Sequence, residues 1–454
     1  MSAFIYSLVL SLSLCILITP SICDQVFSDF SPSMALMLNR PFPPSIFLYV
    51  NLGDHDDYSG EYDSYYRVVG VNSARYSLLF YKFPESSVYT LGIGSNFPSK
   101  WVWAANPNDP VSDGAAIYLG EDGNLVLVDV DDRVVWQTNT ANKGVVGLKM
   151  LEDGNMVLYD ANDNFIWQSF DYPSDTLLPS QSLKAGLTTK LVSRASNTSH
   201  LEGNYTLEMS PKNVSLYYKS PNSPTPLPYY RIDQSFVPTF SKEFRYDVFV
   251  KDFDNPISSQ TIQYTTTSSL SSSSQELVKT SYDSRLSLLR LEYDGKLRVH
   301  TFDPMIIGVW YEEFTLFKGE PLSRNQLGAT ECQMPEKCGN FGICYKGECV
   351  ACPSPRGLMR WSEDCAPPTV GGNSGDDTDA KYYKMRGIRH FSCMYTEGEG
   401  PMKPRKCKIK CSNDPKCVGF FYDVDNLRCW IVYDLMTLTR TDNPNHLGYV
   451  KLSN

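Results

Sequence analysis

Between residues 24 and 331 the chain has no cysteine at all. Whatever folds there must rest on its own hydrophobic core, without cross-links or thiolate ligands. Basic charge is also short: 41 Lys and Arg face 51 Asp and Glu, a net charge of −10. A nucleic-acid partner needs a basic face, so that class is set aside. Beyond the first 23 residues no run of about 18 apolar residues occurs, so no membrane-spanning helix is expected. The five histidines, His55, His200, His300, His390 and His446, are scattered, with no H-x-x-x-H pair, G-x-S-x-G elbow or Walker loop. No enzyme activity, metal or cofactor is therefore expected, although a glycosidase carboxylate pair leaves no sequence signature. The acidic run "DHDDYSGEYDSYY" (54–66) has Tyr65 where a calcium loop starting at Asp54 needs Glu, and reads as a solvated loop.

A chain of 454 residues implies two to four domains. Its Tyr, Ser, Thr and Pro content favours β structure. At the N-terminus an apolar core from Leu8 to Ile18, then Pro20, Ser21 and Cys23, reads as a signal peptide cut before Asp24; a buried strand is the rival reading. No anchor signal closes the sequence, so a soluble secreted product of the apoplast or cell wall is expected. Asn197, Asn204 and Asn213 are N-glycosylation acceptors and place 197–215 at the surface.

An internal repeat organises the N-terminal part. Asp122-Gly-Asn124 recurs as Asp153-Gly-Asn155, and Trp136 as Trp167, both 31 residues on; Trp103 lies 33 before Trp136. Three strands ending in Trp at near-equal spacing predict three similar sheets around one centre, with the Trp residues as core. In "LEDGNMVLYD" (151–160) alternation puts Met156 and Leu158 on one face. Leu151, Asp153, Asn155, Val157 and Tyr159 share the other: a carboxylate, an amide, an apolar spot and a phenol, suited to a sugar.

These residues resemble the Gln-x-Asp-x-Asn-x-Val-x-Tyr motif of monocot mannose-binding lectins. The flanks "WVWAANPNDPV" and "WQSFDYPSDTLLPSQSL" are similar to the bulb-type lectin domain of plant S-locus glycoproteins and G-type lectin receptor proteins. The resemblance implies a mainly β chain whose lectin domain is a β-prism of three four-stranded sheets over roughly 70–180. It also implies that Asp and Asn hold a sugar 2-hydroxyl, Gln the 3-hydroxyl and Tyr the 4-hydroxyl, while Val packs on ring carbons. Carried over, one site keeps Asp153, Asn155, Val157 and Tyr159 with Leu151 for Gln. A weaker one keeps Asp122, Asn124 and Val126, with Gly120 for Gln and Val128 for Tyr. In "SLLRLEYDGKLRVHTFDP" the five positions are Glu292, Asp294, Lys296, Arg298 and His300; only Asp294 matches, so no sugar site is expected there. The run "TTTSSLSSSSQ" (265–275) reads as an exposed loop.

After removal of the leader's Cys15 and Cys23, 11 cysteines remain, all between Cys332 and Cys429. "CQMPEKCGNFGICYKGECVAC…WSEDC" resembles the EGF-like segment of S-locus glycoproteins, implying Cys332–Cys344, Cys338–Cys349 and Cys352–Cys365. The C-x-x-C Cys349–Cys352 leaves redox or zinc chemistry as a rival reading. Cys407 and Cys411, four apart, would pin one helix face to a sheet. With Cys417 and Cys429 they resemble a PAN/apple domain, implying Cys407–Cys429 and Cys411–Cys417. Cys393 is left over, as a free thiol or a bond to another chain. The expected domains are a signal peptide (1–23), an N-terminal extension (24–69), the bulb-type lectin domain (70–183), a degenerate second lectin-like β domain (184–325), an EGF-like disulfide knot (326–366), a linker (367–380) and an α+β PAN/apple domain (381–454). The function implied is mannose-type glycan recognition on glycoproteins, weakened by the lost Gln, with the PAN domain meeting cell-surface receptor proteins. The alternative is a protein-binding soluble partner or decoy of lectin receptor kinases with no sugar binding.

Overall fold

The repeat works because each hairpin buries one face and ends its last strand on an indole. Trp103, Trp136 and Trp167 meet edge to face, with ring centroids 5.7, 5.8 and 6.2 Å apart and planes 73–76° to one another. Each ring touches the other two, so the three sheets share one axis, and such contacts add to area burial. The computed structural model describes residues 44–452 except 54, 97–98, 185–189, 211–212, 234–240, 250–258, 268–271, 281–285, 304–308, 319–328, 355–356 and 368–381. The leader and nearly all of the proposed linker lie outside these residues.

The first sheet of the N-terminal prism orders Asp57–Tyr58, Tyr65–Asn72, Tyr76–Lys82, Thr90–Ser95 and Trp101–Ala104. The second orders Ser45–Val50, Ala116–Gly120, Leu125–Val128 and Val134–Gln137; the third, Val145–Met150, Met156–Asp160 and Phe165–Gln168. The prism thus has five, four and three strands rather than four in each sheet. Alternation sends Leu91, Ile93, Leu125, Leu127, Met156 and Leu158 into its common core.

The stretch 45–69 is no extension. Ser45–Val50 pairs antiparallel with Ala116–Gly120, and the boundary at 70 falls inside Tyr65–Asn72. The acidic run is likewise not a solvated loop: Ser59, Glu61 and Ser64 are buried, and Asp56 pairs with Arg67 and Lys82. Its carboxylates are neutralised by cations outside the run, Arg67 and Lys82 at Asp56 and Lys100 and Arg290 at Glu61.

The second unit is also a prism, of three four-stranded sheets. The segment after the first prism gives one short strand to each: Thr176–Leu177 to Ser287–Leu291, Ser182–Lys184 to Ser241–Phe249, and Lys190–Arg194 to Glu202–Met209. The boundary at 183/184 therefore cuts a strand, and 176–183 pairs with the second prism rather than the first. The Ser/Thr run is also corrected: its ends lie in the paired strands Ser259–Thr267 and Ser272–Thr280.

The cysteine-rich module and the C-terminal unit share a sheet. Its order is Gly357–Arg360, Glu348–Ser354, Ile343–Tyr345, Leu438–Arg440, Ile388–His390, with a parallel pair joining Ile343 to Leu438. A second sheet (Tyr382–Arg386, His446–Lys451, Gly419–Asp423, Arg428–Val432) carries the helix Pro404–Asn413. Pro404 opens that helix at a position where its missing N–H is harmless, and the Asp414-Pro415 step follows its end. Disulfides join Cys332 to Cys344, Cys338 to Cys349, Cys352 to Cys365, Cys407 to Cys429 and Cys411 to Cys417. Cys393 is free and buried, and burial pushes its thiol up to about 12.

Candidate functional site

Cross-strand pairing aligns the three outer faces of the first prism. Ile93 faces Trp103, Leu127 faces Trp136 and Leu158 faces Trp167. Thr90, Asn124 and Asn155 are therefore equivalent, as are Gly92, Val126 and Val157, and Gly94, Val128 and Tyr159.

On the third sheet the turn before the strand is built by Asp153 and Gly154. Asp153 Oδ1 accepts from the Asn155 N–H at 3.0 Å, and Gly154 sits at φ +90°, where an added Cβ would lie 2.5 Å from Leu178. Asn155 is only 4% exposed. Its Nδ2 donates to Gln168 Oε1 at 2.9 Å, and its Oδ1 accepts from the Ser169 hydroxyl and the Phe170 N–H. The Tyr159 ring lies across Gly147, and Lys149 Nζ sits 4.4 Å from its centroid. Asp153 is exposed and Tyr159 half-buried. Val157, expected to offer an apolar spot to a sugar ring, is 0% exposed. That expectation is corrected: strand alternation turns Val157 outward, but its neighbours close over it.

On the second sheet the same turn recurs, with Asp122 Oδ1 accepting from Asn124 N–H at 2.9 Å. Asn124 Nδ2 donates to Gln137, and its Oδ1 accepts from Thr138 and Thr140. Val126 and Val128 are buried in an apolar cluster with Ala116, Val50 and Tyr118, so Val126 is no open platform either. An added Cβ on Gly120 would lie 2.7 Å from the Asp122 carboxylate, so a Gln there would have to displace it.

The first sheet has lost its outer face to the second prism. An added Cβ at Gly92 would meet Tyr81 at 2.8 Å, and one at Gly94 would meet Trp101 at 2.7 Å. Tyr81 and Trp101 stack there, and Arg194 lies over Tyr81 and Tyr62. Thr90 Oγ1 is 2.7 Å from His200 Nδ1. Burial, reinforced by the Arg194 charge, lowers His200 to about 4. Beside it, Arg290 is 1% exposed. It reaches Glu61 at 2.6 Å, Tyr62 at 3.2 Å, Thr176 at 3.0 Å and the Trp101 carbonyl. Burial alone would raise the Glu61 carboxyl, but the Arg290 and Lys100 charges hold it at about 2.

In the second prism the motif positions have become an ion-pair ladder. Arg298 grips Asp294 through two nitrogens at 2.8 and 2.6 Å, His300 Nε2 lies 2.7 Å from Glu292, and Lys296 pairs with Glu331 of the cysteine-rich module. Burial pushes the Asp294 carboxyl up, but the Arg298 guanidinium together with the Lys296 N–H and ammonium holds it below the ordinary carboxylate value. Asn197 and Asn204 are exposed; Asn213 is half-buried and its Oδ1 accepts from Ser210 and Ser215. Among the described residues no group of three or more His, Cys, Asp or Glu could hold a metal ion. Sequence reasoning missed Glu61, Arg194, His200 and Arg290, because nothing in local periodicity pairs residues so far apart.

The family model described as D-mannose binding lectin matches residues 100–199. EP1-like glycoprotein 3 of Arabidopsis thaliana is 41% identical over 90% of this chain and 92% of its own. The chain belongs to the EP1-like glycoprotein family. The epidermis-specific secreted glycoprotein EP1 of Daucus carota is 42% identical over 75% of this chain and 91% of its own. Kinase similarity is partial: the putative receptor protein kinase ZmPK1 of Zea mays is 30% identical, over 72% of this chain and 38% of its own. Within the EP1-like family this chain is a mainly β, lectin-type glycoprotein with a disulfide-rich C-terminal region.

Proposed function

We propose that this EP1-like glycoprotein is a secreted recognition protein, without catalysis, that binds mannose-type glycans weakly on the outer face of its third sheet. The observation that carries this is the contrast among the three equivalent faces. One is occluded by the second prism and one is sealed by valines. Only the third combines an exposed carboxylate, Asp153, with a half-buried phenol, Tyr159. Tyr159 hydroxyl makes no hydrogen bond among the described residues, and Asn155 Nδ2 has a second hydrogen beyond the one given to Gln168. These groups would serve the sugar hydroxyls, while Leu151 lacks the amide of the motif. A lost neutral hydrogen bond is worth about 0.5–1.5 kcal/mol, which makes a shallow monosaccharide site weaker. The secreted name of the carrot relative and the three glycosylation acceptors support an extracellular setting. The EGF-like and PAN readings of the two C-terminal sheets fit the disulfide pattern, and the PAN-like unit is a second surface for receptor proteins.

The test is a mannose-glycan array read with wild type and Tyr159→Phe, which removes one hydroxyl and leaves the packed ring. Asn155→Ala alone is a poor control, since Asn155 also anchors Ser169 and Phe170. Binding above background that falls in Tyr159→Phe supports the proposal. Equal background signal from both proteins defeats it.

A further inference from the structure

One position beside the third-sheet site is glycine for a reason its own strand does not supply. Strand Val145–Met150 runs beside Met156–Asp160, with Gly147 opposite Tyr159 and Lys149 opposite Val157. On the second sheet the same two places hold Ala116 opposite Val128 and Tyr118 opposite Val126. On the first they hold Ser77 opposite Gly94 and Leu79 opposite Gly92. Among the three faces, glycine stands across from the last outward position only where that position is a tyrosine.

The backbone does not demand it. A bulge precedes Gly147, but its φ lies outside the left-handed region, so a side chain there brings no backbone strain. Volume does demand it. A Cβ on Gly147 would lie 2.5 Å from the Tyr159 hydroxyl oxygen, 2.6 Å from Cζ and 2.9 Å from Cε1. These atoms form the hydroxyl end of the ring, so the phenol is folded fully onto the neighbouring strand. Lys149, two residues further on, lies over the same ring. Its Nζ is 4.4 Å from the Tyr159 centroid, 5.8 Å from that of Phe165 and 3.4 Å from Asp163. A bare strand and an ammonium group thus confine the ring. A half-buried tyrosine ordinarily finds a hydrogen-bond partner, yet this hydroxyl has none among the described residues. Its position is set by packing, and its hydrogen bond is left to a ligand.

We infer that Gly147 is a positioning residue of the glycan site, acting through Tyr159. The inference rests on the reading that this face binds mannose-type glycans. The missing Cβ sets where the phenol hydroxyl meets a sugar hydroxyl, and the two residues work as one unit. The second sheet therefore lacks more than a tyrosine. The Ala116 methyl stands where the Tyr159 ring has its bed, so the phenol of a Val128→Tyr variant finds no such place.

Full-length wild type, Gly147→Ala, Tyr159→Phe and Gly147→Ala/Tyr159→Phe are titrated with mannotriose by ligand-observed NMR, with melting temperatures measured alongside. Gly147→Ala displaces the ring and should weaken binding roughly three- to tenfold, as Tyr159→Phe does, with the melting temperature nearly unchanged. The double variant should bind no more weakly than Tyr159→Phe, because a residue that acts through the hydroxyl then has nothing to act on. A general loosening of the sheet would instead add its loss to that of Tyr159→Phe, and such additivity overturns the inference. Wild-type binding that Gly147→Ala leaves unchanged also overturns it, while the glycan reading stands. Absent wild-type binding defeats the glycan reading and the inference with it. Should Gly147→Ala melt early, the same change is made in a Tyr159→Ala background. No further melting loss there supports action through the ring, and an equal loss overturns it.

Discussion

The first and third sheets of the N-terminal prism start from the same hairpin and end with opposite outer faces. On the third, Asn155, Val157 and Tyr159 occupy the outward positions; on the first the equivalents are Thr90, Gly92 and Gly94. Removing side chains there let Tyr81 and Trp101 lie flat on the strand, and a flat aromatic face can be covered by another domain. A pseudo-threefold scaffold thus offers three chances for a site, and one has been spent on holding two prisms together. The last strand pair has the same register in both sheets, and on that pair the difference lies in side-chain volume at two positions, Gly92 against Val157 and Gly94 against Tyr159.

Breaking the covered face should have the largest effect. Arg290→Met leaves Glu61 buried without its main counter-charge, and removing one member of such a pair costs about 3–5 kcal/mol. A drop of many degrees in the melting temperature is expected, and a change within a degree or two would show that the pair contributes little. Acid attacks the same face more gently. The folded state holds the His200 proton less tightly than the unfolded chain, so this contribution is complete above about pH 6.5 and is lost as pH falls toward 4. By pH 5 the loss is on the order of 1–2 kcal/mol, and His200→Gln should flatten the melting profile between pH 7 and 5. An unchanged slope in that variant would assign the acid sensitivity to other groups.

The open face is sharpened rather than broken by Leu151→Gln. Restoring the fifth motif residue should tighten mannose-type glycan binding by about 0.5–1.5 kcal/mol, read by titration calorimetry. No gain, with the fold intact, would mean that the site is not used in the manner of the motif. The smallest effect on glycan binding is expected on the sealed second face: Val128→Ala trims a residue packed among Val126, Ala116 and Tyr118, so the melting temperature falls modestly while the signal on the same glycan array is unchanged.

Much of this was legible in the sequence because it is local. Asp-Gly-Asn turns, strand alternation and Trp spacing report on neighbours within about 30 residues, and they led to the prism and to the strand 151–160. The Cys407-x-x-x-Cys411 spacing led to the pinned helix for the same reason. What stayed hidden depends on distant partners. Glu61 looked like part of a hydrated acidic loop because Arg290 is 229 residues away. Val157 looked available because alternation gives the direction of a side chain and not what lies over it. Ser45–Val50 looked like an appendage because its partner strand follows by some 70 residues. The boundary at 183 failed likewise, since the short strands 176–184 find their partners only beyond residue 240.

Those three short strands set an order of assembly. During synthesis the N-terminal prism has its strands in hand once residue 168 has emerged, and local hairpins close it quickly. Lys190–Arg194 meets Glu202–Met209 almost at once, but Ser182–Lys184 and Thr176–Leu177 must wait, because their mates begin only at Ser241 and Ser287. Until Ser287–Leu291 arrives, the flat aromatic side of the first prism and its waiting strand edges face solvent, the state in which unpaired edges recruit foreign chains. A fragment ending near residue 183 would remain in that state, whereas the full-length chain passes through it only in transit.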